Sequence, residues 1–366
     1  MNYVYQFPVV KGVQANQEYY IAMVPLKMLI RLFPEDEEYV LPEFRAQRRL
    51  NASRIPVMKN YILKNRNNYV FSALAASIDG ELKYKPNKDE LNTGILEVAM
   101  DSKFLINDGQ HRKAAILAAL EEDKSLGEET ISVVFFKDNG LTRSQQIFTD
   151  LNKHAVKTSN SISELYDSRD PLAVITRNTV LSVSFLNQYT DKEKDNLGKY
   201  SSNLFTLNTF YKANKRILGS KKISHHDKND QAFLENFWAL VVNNIVPWNE
   251  MRDHELSKKD LRENYIVTQN VVIQALGRIG NYFYNNKKSN MPKTLIKLKD
   301  VNWKRTADIW QQRTIKPNGR IIANEEATIL TGNVIKQLLG IPLAEDEETK
   351  ELEFVRLGFG GLNNAG

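Results

Sequence analysis

The segment Asp108-Gly109-Gln110-His111-Arg112 is the part of the chain whose residue types point most directly to chemistry. The first N–H groups of a helix have no internal partner, and the helix dipole adds partial positive charge there. Gly109 lets the backbone approach a ligand closely. A cation such as Arg112 in a first helical turn is unfavourable unless an anion is present. The segment therefore predicts an anion site, with phosphate as the expected ligand.

Two interpretations of Asp108 are open at this segment. Its carboxylate can accept from the N–H of Gln110 or His111 and cap the helix, with Arg112 paired to a nearby carboxylate, which makes the segment structural. If a phosphate is held at the helix start, Asp108 and His111 lie within reach of it as acid–base candidates. The residues alone leave both interpretations open.

A strand, a helix and a second strand are predicted around the segment. Residues 103–106 favour a strand, and residues 114–120 are apolar nearly all round, as in a helix buried against a sheet. Residues 130–136 are β-branched and aromatic, which indicates a buried strand. Residues 95–100 and 103–106 flank Asp101-Ser102, and this arrangement predicts a hairpin.

Three further elements are predicted before the segment. Residues 18–25 are rich in β-forming residues, and residues 69–77 favour a strand ended by the turn Asp79-Gly80. Residues 54–63 favour a helix with Ser53 as its N-cap.

The length of 366 residues and the change of pattern near residue 160 predict two domains. Residues 1–160 are expected to form an α/β (α+β) domain, and residues 161–366 a mostly α-helical, basic domain. Helices are predicted to begin at Asp170-Pro171 and to cover residues 232–246 and 265–284. The acidic run 345–348 and the Gly-rich end are expected to form a flexible tail.

The net charge of +6 is concentrated in one part of the chain. Residues 201–300 hold 16 Lys and Arg against 9 Asp and Glu. A local cationic excess is the electrostatic footprint of a phosphate-backbone partner, although a solvated basic face has the same composition. Double-stranded DNA is the predicted partner. The candidate contacts lie in a basic connector, residues 212–228: Lys212, Lys215, Arg216, Lys221, Lys222 and Lys228.

Several function classes are excluded or disfavoured. The chain has no cysteine, which excludes disulfides, thiolate metal sites and cysteine nucleophiles. No metal site is predicted at His225-His226, because adjacent histidines point to different sides of an element. Walker phosphate-loop, Gly-x-Ser-x-Gly and HExxH motifs do not occur. Without a signal peptide or an apolar run of about 20 residues, the expected location is the cytoplasm.

The central motif and its flanks resemble a known family. Asp108-Gly109-Gln110-His111-Arg112 followed by Lys113-Ala114-Ala115 resembles the DGQHR signature. Residues 47–51 with Arg54, and residues 148–155, resemble its flanking motifs, and residues 274–280 extend the match. The resemblance is to the DGQHR-domain family, closest to its DndB group, the accessory proteins of the bacterial DNA phosphorothioation (DNA sulfur modification) system.

The resemblance implies a fold and a set of site residues. The family is similar to the partition-protein B and sulfiredoxin superfamily, in which a Gly-x-x-Arg loop binds nucleotide phosphates. By this likeness a nucleotide, with ATP expected, is bound by Gly109, Gln110, Arg112, Asn152, Lys153, Arg49 and Arg54. Without the resemblance, Asn152 and Lys153 are typical of a helix C-terminus and Arg49 and Arg54 of a solvated basic face. Sulfiredoxins carry a cysteine where this chain has Gln110, so sulfinate repair is excluded.

The resemblance favours a DNA-binding regulator that controls transcription of the modification genes. The alternative is an enzyme, an NTPase or a DNA nickase, in which Asp108 and His111 are catalytic. Other proteins of the phosphorothioation system are expected partners, and homo-oligomerisation is left open.

Overall fold

The structure, a computed structural model, describes residues 3–34, 51–137, 146–147, 149–151, 158–198, 201–219 and 228–358. The chain forms two compact units, Met1–Val156 and Lys157–Gly366, each with its own hydrophobic core. A sheet in one unit and many helices in the other make this a mixed α/β protein, as predicted. Within the described ranges, no helix is long and apolar enough to cross a membrane.

The first unit is built on a seven-stranded sheet. Its strand order is β4-β5-β1-β2-β7-β3-β6, and every neighbouring pair is antiparallel except β7 with β3. The predicted strand at residues 130–136 is present as β7, and its side chains alternate, with Ile131, Val133 and Phe135 buried. The strands are β1 (Val4–Gln14), β2 (Gln17–Pro25), β3 (Leu74–Asp79), β4 (Leu82–Pro86), β5 (Thr93–Ala99), β6 (Lys103–Asp108) and β7 (Thr130–Lys137).

The predicted hairpin between β5 and β6 is wrong. The backbone does turn at this point, since the N–H of Ser102 donates to the carbonyl of Ala99 at 3.0 Å. However, β5 pairs with β1 and β4, whereas β6 pairs with β3 at the other edge of the sheet. Two adjacent β segments cannot reveal that each has a better partner elsewhere in the chain.

The helices of the first unit are α1 (Leu29–Leu32), α2 (Ile55–Lys64) and α3 (Gln110–Glu122). α2 packs against α3, and both bury side chains in the core of the sheet, among them Ile62, Ile116 and Ala119. The predicted cap Ser53 is wrong. A short 3-10 turn, Ala52–Arg54, precedes α2, and the side chain of Asn51 caps it by accepting from the N–H of Ser53 at 3.2 Å.

The second unit is mostly helical. The aspartate and proline at its second helix act as predicted, with Asp170 as the N-cap and Pro171 in the first turn. β8 (Thr190–Asp191) and β9 (Phe205–Thr206) form a small parallel pair. The helices are α4 (Asn160–Tyr166), α5 (Pro171–Ser182), α6 (Ser184–Tyr189), α7 (Leu207–Leu218), α8 (Lys228–Asn244), α9 (Val246–Arg252), α10 (Lys258–Asn264), α11 (Asn270–Asn285), α12 (Met291–Leu295), α13 (Glu325–Leu339) and α14 (Glu345–Arg356).

The acidic run expected in a flexible tail instead forms the first turn of α14. Two acidic side chains of this helix are buried in ion pairs. Glu347 pairs with Arg278 of α11 and Lys336 of α13, and Glu351 makes a two-pronged pair with Arg313. Charge density suggested solvation, but these cations lie far away in the sequence. The Gly-rich end, residues 359–366, lies outside the described residues.

Candidate functional site

The backbone at the Asp108–Arg112 segment makes the predicted change from strand to helix. β6 ends at Asp108, opposite Ala75 of β3, where the register shifts by a β-bulge. Gly109 follows with φ +101° and is the N-cap residue of α3. A Cβ built on Gly109 would lie 2.4 Å from Cδ2 of Leu74. Both the left-handed backbone and the lack of space explain why glycine occupies this position.

Asp108 does not cap α3, so that part of the structural interpretation is wrong. Among the described residues, no side-chain cap is present at the start of the helix. The Asp108 carboxylate instead accepts from Nη2 of Arg112 at 2.7 Å, and the Nη1 group of Arg112 donates to the hydroxyl of Ser72. The pairing of Arg112 with a carboxylate is therefore present, and the carboxylate is Asp108 itself, one helical turn away.

His111 binds the chain segment that precedes α2. Its Nε2 atom accepts the backbone N–H of Asn51 at 2.9 Å. The predicted phosphate ligand Arg54, three residues further on, is exposed and makes no ion pair with the described residues. The bond from Asn51 joins the segment that leads to Arg54 to the start of α3.

Gln110 is the least satisfied side chain of the segment. It is 8% exposed, and its Nε2 atom has no hydrogen-bond partner among the described residues. A buried amide without a partner costs about 1–3 kcal/mol, so a ligand that accepts from it would be stabilised. At the start of α3, this amide is therefore a donor that an acceptor-rich ligand could use.

The segment has donors available but its acid and base candidates are engaged. Asp108 is paired with Arg112, and His111 accepts from a backbone N–H. The arrangement can therefore hold an anion, whereas proton transfer would require one of these bonds to open. Ser72 and Asn51 were not among the predicted site residues, because they lie 40 and 60 residues from their partners in the sequence.

The other predicted site residues divide between described and undescribed parts of the chain. Arg49, Asn152, Lys153, Lys221 and Lys222 lie outside the described residues. Part of the predicted basic connector is helical, because Lys212, Lys215 and Arg216 lie on α7 and Lys228 begins α8.

A groove of about 480 Å³ runs beside the cations of α7. Lys212 and Lys215 are exposed along it, and neither forms an ion pair within the described ranges. The starts of two helices, α11 and α13, complete the groove with amide side chains. Its lining includes Lys212, Lys215, Arg216, Asn270, Gln274 and Asn324. We call this the α7 groove.

Arg216 has a structural partner in the α7 groove. It forms a two-pronged pair with Glu325, at 2.7 Å for Nη1 to Oε1, and its Nε donates to Gln274 at 2.9 Å. The hydrogen bonds from Arg216 hold the pKa of Glu325 below its usual value. Arg216 therefore positions α7 against α11 and α13, and the two lysines remain as the available cations.

Carboxylates lie near α7, on the side of Tyr211 and Lys212. Burial raises the pKa of Glu164 to about 7, and the charge of Asp195 adds to that effect while Lys212 opposes it. Tyr211, next to Lys212, donates its hydroxyl to Asp170 at 2.6 Å. Of the two available lysines, Lys215 therefore lies in the less acidic surroundings.

The aromatic residues near these cations belong to the core. Phe205 and Phe210 are at most 2% exposed and pack on each other with ring centroids 5.4 Å apart. They are therefore not available to stack on bases. Among the described residues, no group of three or more His, Asp or Glu side chains is arranged to hold a metal ion.

The fold and the sites define a mixed α/β protein with a helical unit that carries available cations. A family model matches residues 7–342. The chain belongs to this family, DndB, which is described as DNA-sulfur modification-associated. Comparisons with curated proteins and with solved structures give no match. The likeness to the partition-protein B and sulfiredoxin fold remains a prediction.

Proposed function

We propose that the chain is a DNA-binding regulator of a bacterial DNA phosphorothioation system, controlling transcription of the modification genes. Membership of the DndB family relates the chain to DNA sulfur modification. The observation that carries the DNA-binding part is the α7 groove, in which Lys212 and Lys215 are exposed without ion partners among the described residues. We expect other proteins of the system to be partners of the regulator.

The geometry of the α7 groove suits a phosphate backbone. Two lysines one helical turn apart lie on the same face of α7. The side-chain amides of Asn270 and Asn324, which also line the groove, offer further polar contacts. Lysines and amides that contact phosphates hold a protein on DNA without reading bases. The groove therefore accounts for affinity, and sequence preference is assigned to other parts of the protein.

The test is duplex binding as a function of salt. Fluorescence anisotropy measures the association constant K for duplexes from the chain's own gene neighbourhood at several salt concentrations. In Lys212→Gln/Lys215→Gln, the slope of log K against log[salt] should flatten by about 2. Affinity for all sequences should fall together, at least about tenfold at physiological salt. In cells, expression of a reporter driven by the promoter of the modification genes should change in the same variant.

The matched control is Lys316→Gln/Arg320→Gln, which removes the same charge from two exposed cations that do not line the groove. An unchanged slope in the groove variant, or an equal change in the control, would contradict the groove as the DNA contact. Unchanged reporter expression with lost DNA binding would contradict the regulatory role.

A second candidate function is a nucleotide-binding enzyme, an NTPase or DNA nickase with ATP as the expected nucleotide. It is favoured by the buried Gln110 amide at the start of α3, whose Nε2 atom has no hydrogen-bond partner among the described residues. If a phosphate binds there, Asp108 competes with it for Arg112. Asp108→Asn should then bind ATP more tightly, and Arg112→Ala more weakly by about 1.5–3 kcal/mol.

The control for this second candidate is Lys124→Ala, an exposed cation of the same unit. Incubation with labelled ATP and supercoiled plasmid distinguishes an enzyme from a binding protein, because only an enzyme gives ADP or nicked circles. Equal ATP affinity in all three variants would show that the pair of Asp108 and Arg112 is purely structural.

A further inference from the structure

A pocket of about 430 Å³ lies in the helical unit where α8 begins, α11 ends and α12 starts. None of its lining residues lines the α7 groove. One wall is aromatic, and the rest of the lining is mainly amide, hydroxyl and charged groups. Phe233, Phe283 and Tyr284 line the aromatic side, and Asn229, Asp230 and Lys287 line the polar side.

The aromatic wall is held in place before any ligand arrives. The hydroxyl of Tyr284 donates to Asp230 at 2.6 Å, and Asp230 is only 2% exposed. The half-buried ring of Phe233 meets Tyr284 edge to face, with centroids 5.2 Å apart, and lies parallel to Phe237. A ligand that stacks on these rings therefore meets a preorganised surface, which lowers the entropy cost of binding.

Exposed lysines lie in the lining of the pocket or next to lining residues in the sequence. Lys287 lines it, Lys288 follows, Lys228 adjoins Asn229, and Lys293 adjoins Pro292, another lining residue. All four lysines are exposed, and within the described ranges none of them forms an ion pair. Residues 287–305 contain six lysines, one arginine and a single acid, Asp300. The pocket therefore lies in a positive potential that favours an anionic ligand.

We propose that this pocket binds one unstacked nucleotide, with its base against Phe233 and Tyr284 and its phosphate beside Lys287 and Lys228. Its volume is at the lower end of the range for small-molecule sites. Every base has a face that can stack on an aromatic ring, and lysines neutralise the attached phosphate. Bases in a duplex are already stacked, so the ligand is an unpaired nucleotide of DNA or a free nucleotide. The DNA source rests on the proposed function.

The experiment compares three probes on the full chain by fluorescence anisotropy: a single-stranded 12-mer, its duplex, and fluorescent ATP. Phe233→Leu keeps an apolar side chain and removes the ring. It should weaken binding of the single strand roughly 5- to 150-fold and leave duplex binding unchanged. Lys287→Gln/Lys288→Gln, at exposed positions where folding is not at risk, should lower the salt slope for the single strand by about 1.4.

The groove variant Lys212→Gln/Lys215→Gln is the control, since it removes the same charge without changing the pocket. The groove variant should weaken binding of the duplex more than Phe233→Leu does. If Phe233→Leu weakens ATP alone, the pocket stands and its ligand is a free nucleotide.

Full affinity of both pocket variants for the single strand and for ATP would overturn the proposal. The proposal also fails if the unaltered chain binds neither probe. Loss of duplex binding in the groove variant would still support the proposed function in that case. Conversely, an unaltered chain that binds single strands through Phe233 but no duplex would keep the pocket and refute the proposed function.

Discussion

Replacing Glu347 by glutamine is expected to lower the unfolding free energy of the helical unit by about 3–5 kcal/mol. The carboxylate accepts from Nζ of Lys336 at 2.7 and 2.8 Å and from Nε of Arg278 at 2.9 Å. Only 2% of the Glu347 side chain and 6% of the Lys336 side chain are exposed. Glutamine keeps the shape but removes the negative charge, so Lys336 is left with an uncompensated buried charge.

Urea denaturation followed by tryptophan fluorescence measures this loss in one unit alone. All four tryptophans of the chain, Trp238, Trp248, Trp303 and Trp310, lie in the helical unit and are buried there. The urea concentration at the midpoint of unfolding should fall, whereas the slope of the unfolding free energy against urea concentration should not change. In thermal unfolding, 3–5 kcal/mol corresponds to a decrease of roughly 6–20 °C in Tm for a unit of this size.

The control for this variant is Glu348→Gln, one residue further along the same helix, where the side chain is exposed. It should change the free energy by less than about 0.5 kcal/mol. The double variant Lys336→Met/Glu347→Leu should recover most of the loss, because an apolar pair often replaces a buried ion pair without cost. Equal, small effects of the two single variants would refute the pairing of Glu347 with Lys336.

Two further predictions concern backbone strain and pH. Gly109→Ala should lower the unfolding free energy of the first unit by about 1–3 kcal/mol, because φ is +101° and the new Cβ meets Leu74. Circular dichroism during denaturation measures this loss. The control Gly198→Ala should be near neutral, because nothing lies within 4 Å of a Cβ built there. Burial and then the charge of Asp195 raise the pKa of Glu164 from 4.5 to about 7. The contribution of this group to the unfolding free energy is therefore fully present below pH 4.5 and is lost as the pH rises through 7. After discount for solvent screening, the unaltered chain should lose about 1–2 kcal/mol more than Glu164→Gln between pH 5 and pH 8, and parallel pH curves would contradict this.

Local patterns were sufficient for much of the first unit. The β-branched residues of β7 and the apolar run of α3 predicted a strand and a helix that the structure contains. Each of these signals comes from neighbours in the sequence, where side-chain period operates.

Long-range partners could not be predicted. The β5–β6 hairpin is wrong because β6 pairs with β3 instead, and the acidic run is helical because Glu347 meets Arg278 and Lys336. In each case the competing partner was a charged group or a strand whose approach depends on the whole fold.

The position of β7 in the sheet has a consequence for the order in which this unit assembles. β4, β5, β1 and β2 form one half of the sheet and β3 with β6 the other, and β7 is the strand whose backbone hydrogen bonds join the two halves. β7 is also the last of the seven strands to be synthesised. During translation, the early strands therefore expose two unpaired edges until Thr130–Lys137 emerges and closes them. A slow, late joining step follows from this topology, since β2 must find a partner more than 100 residues away.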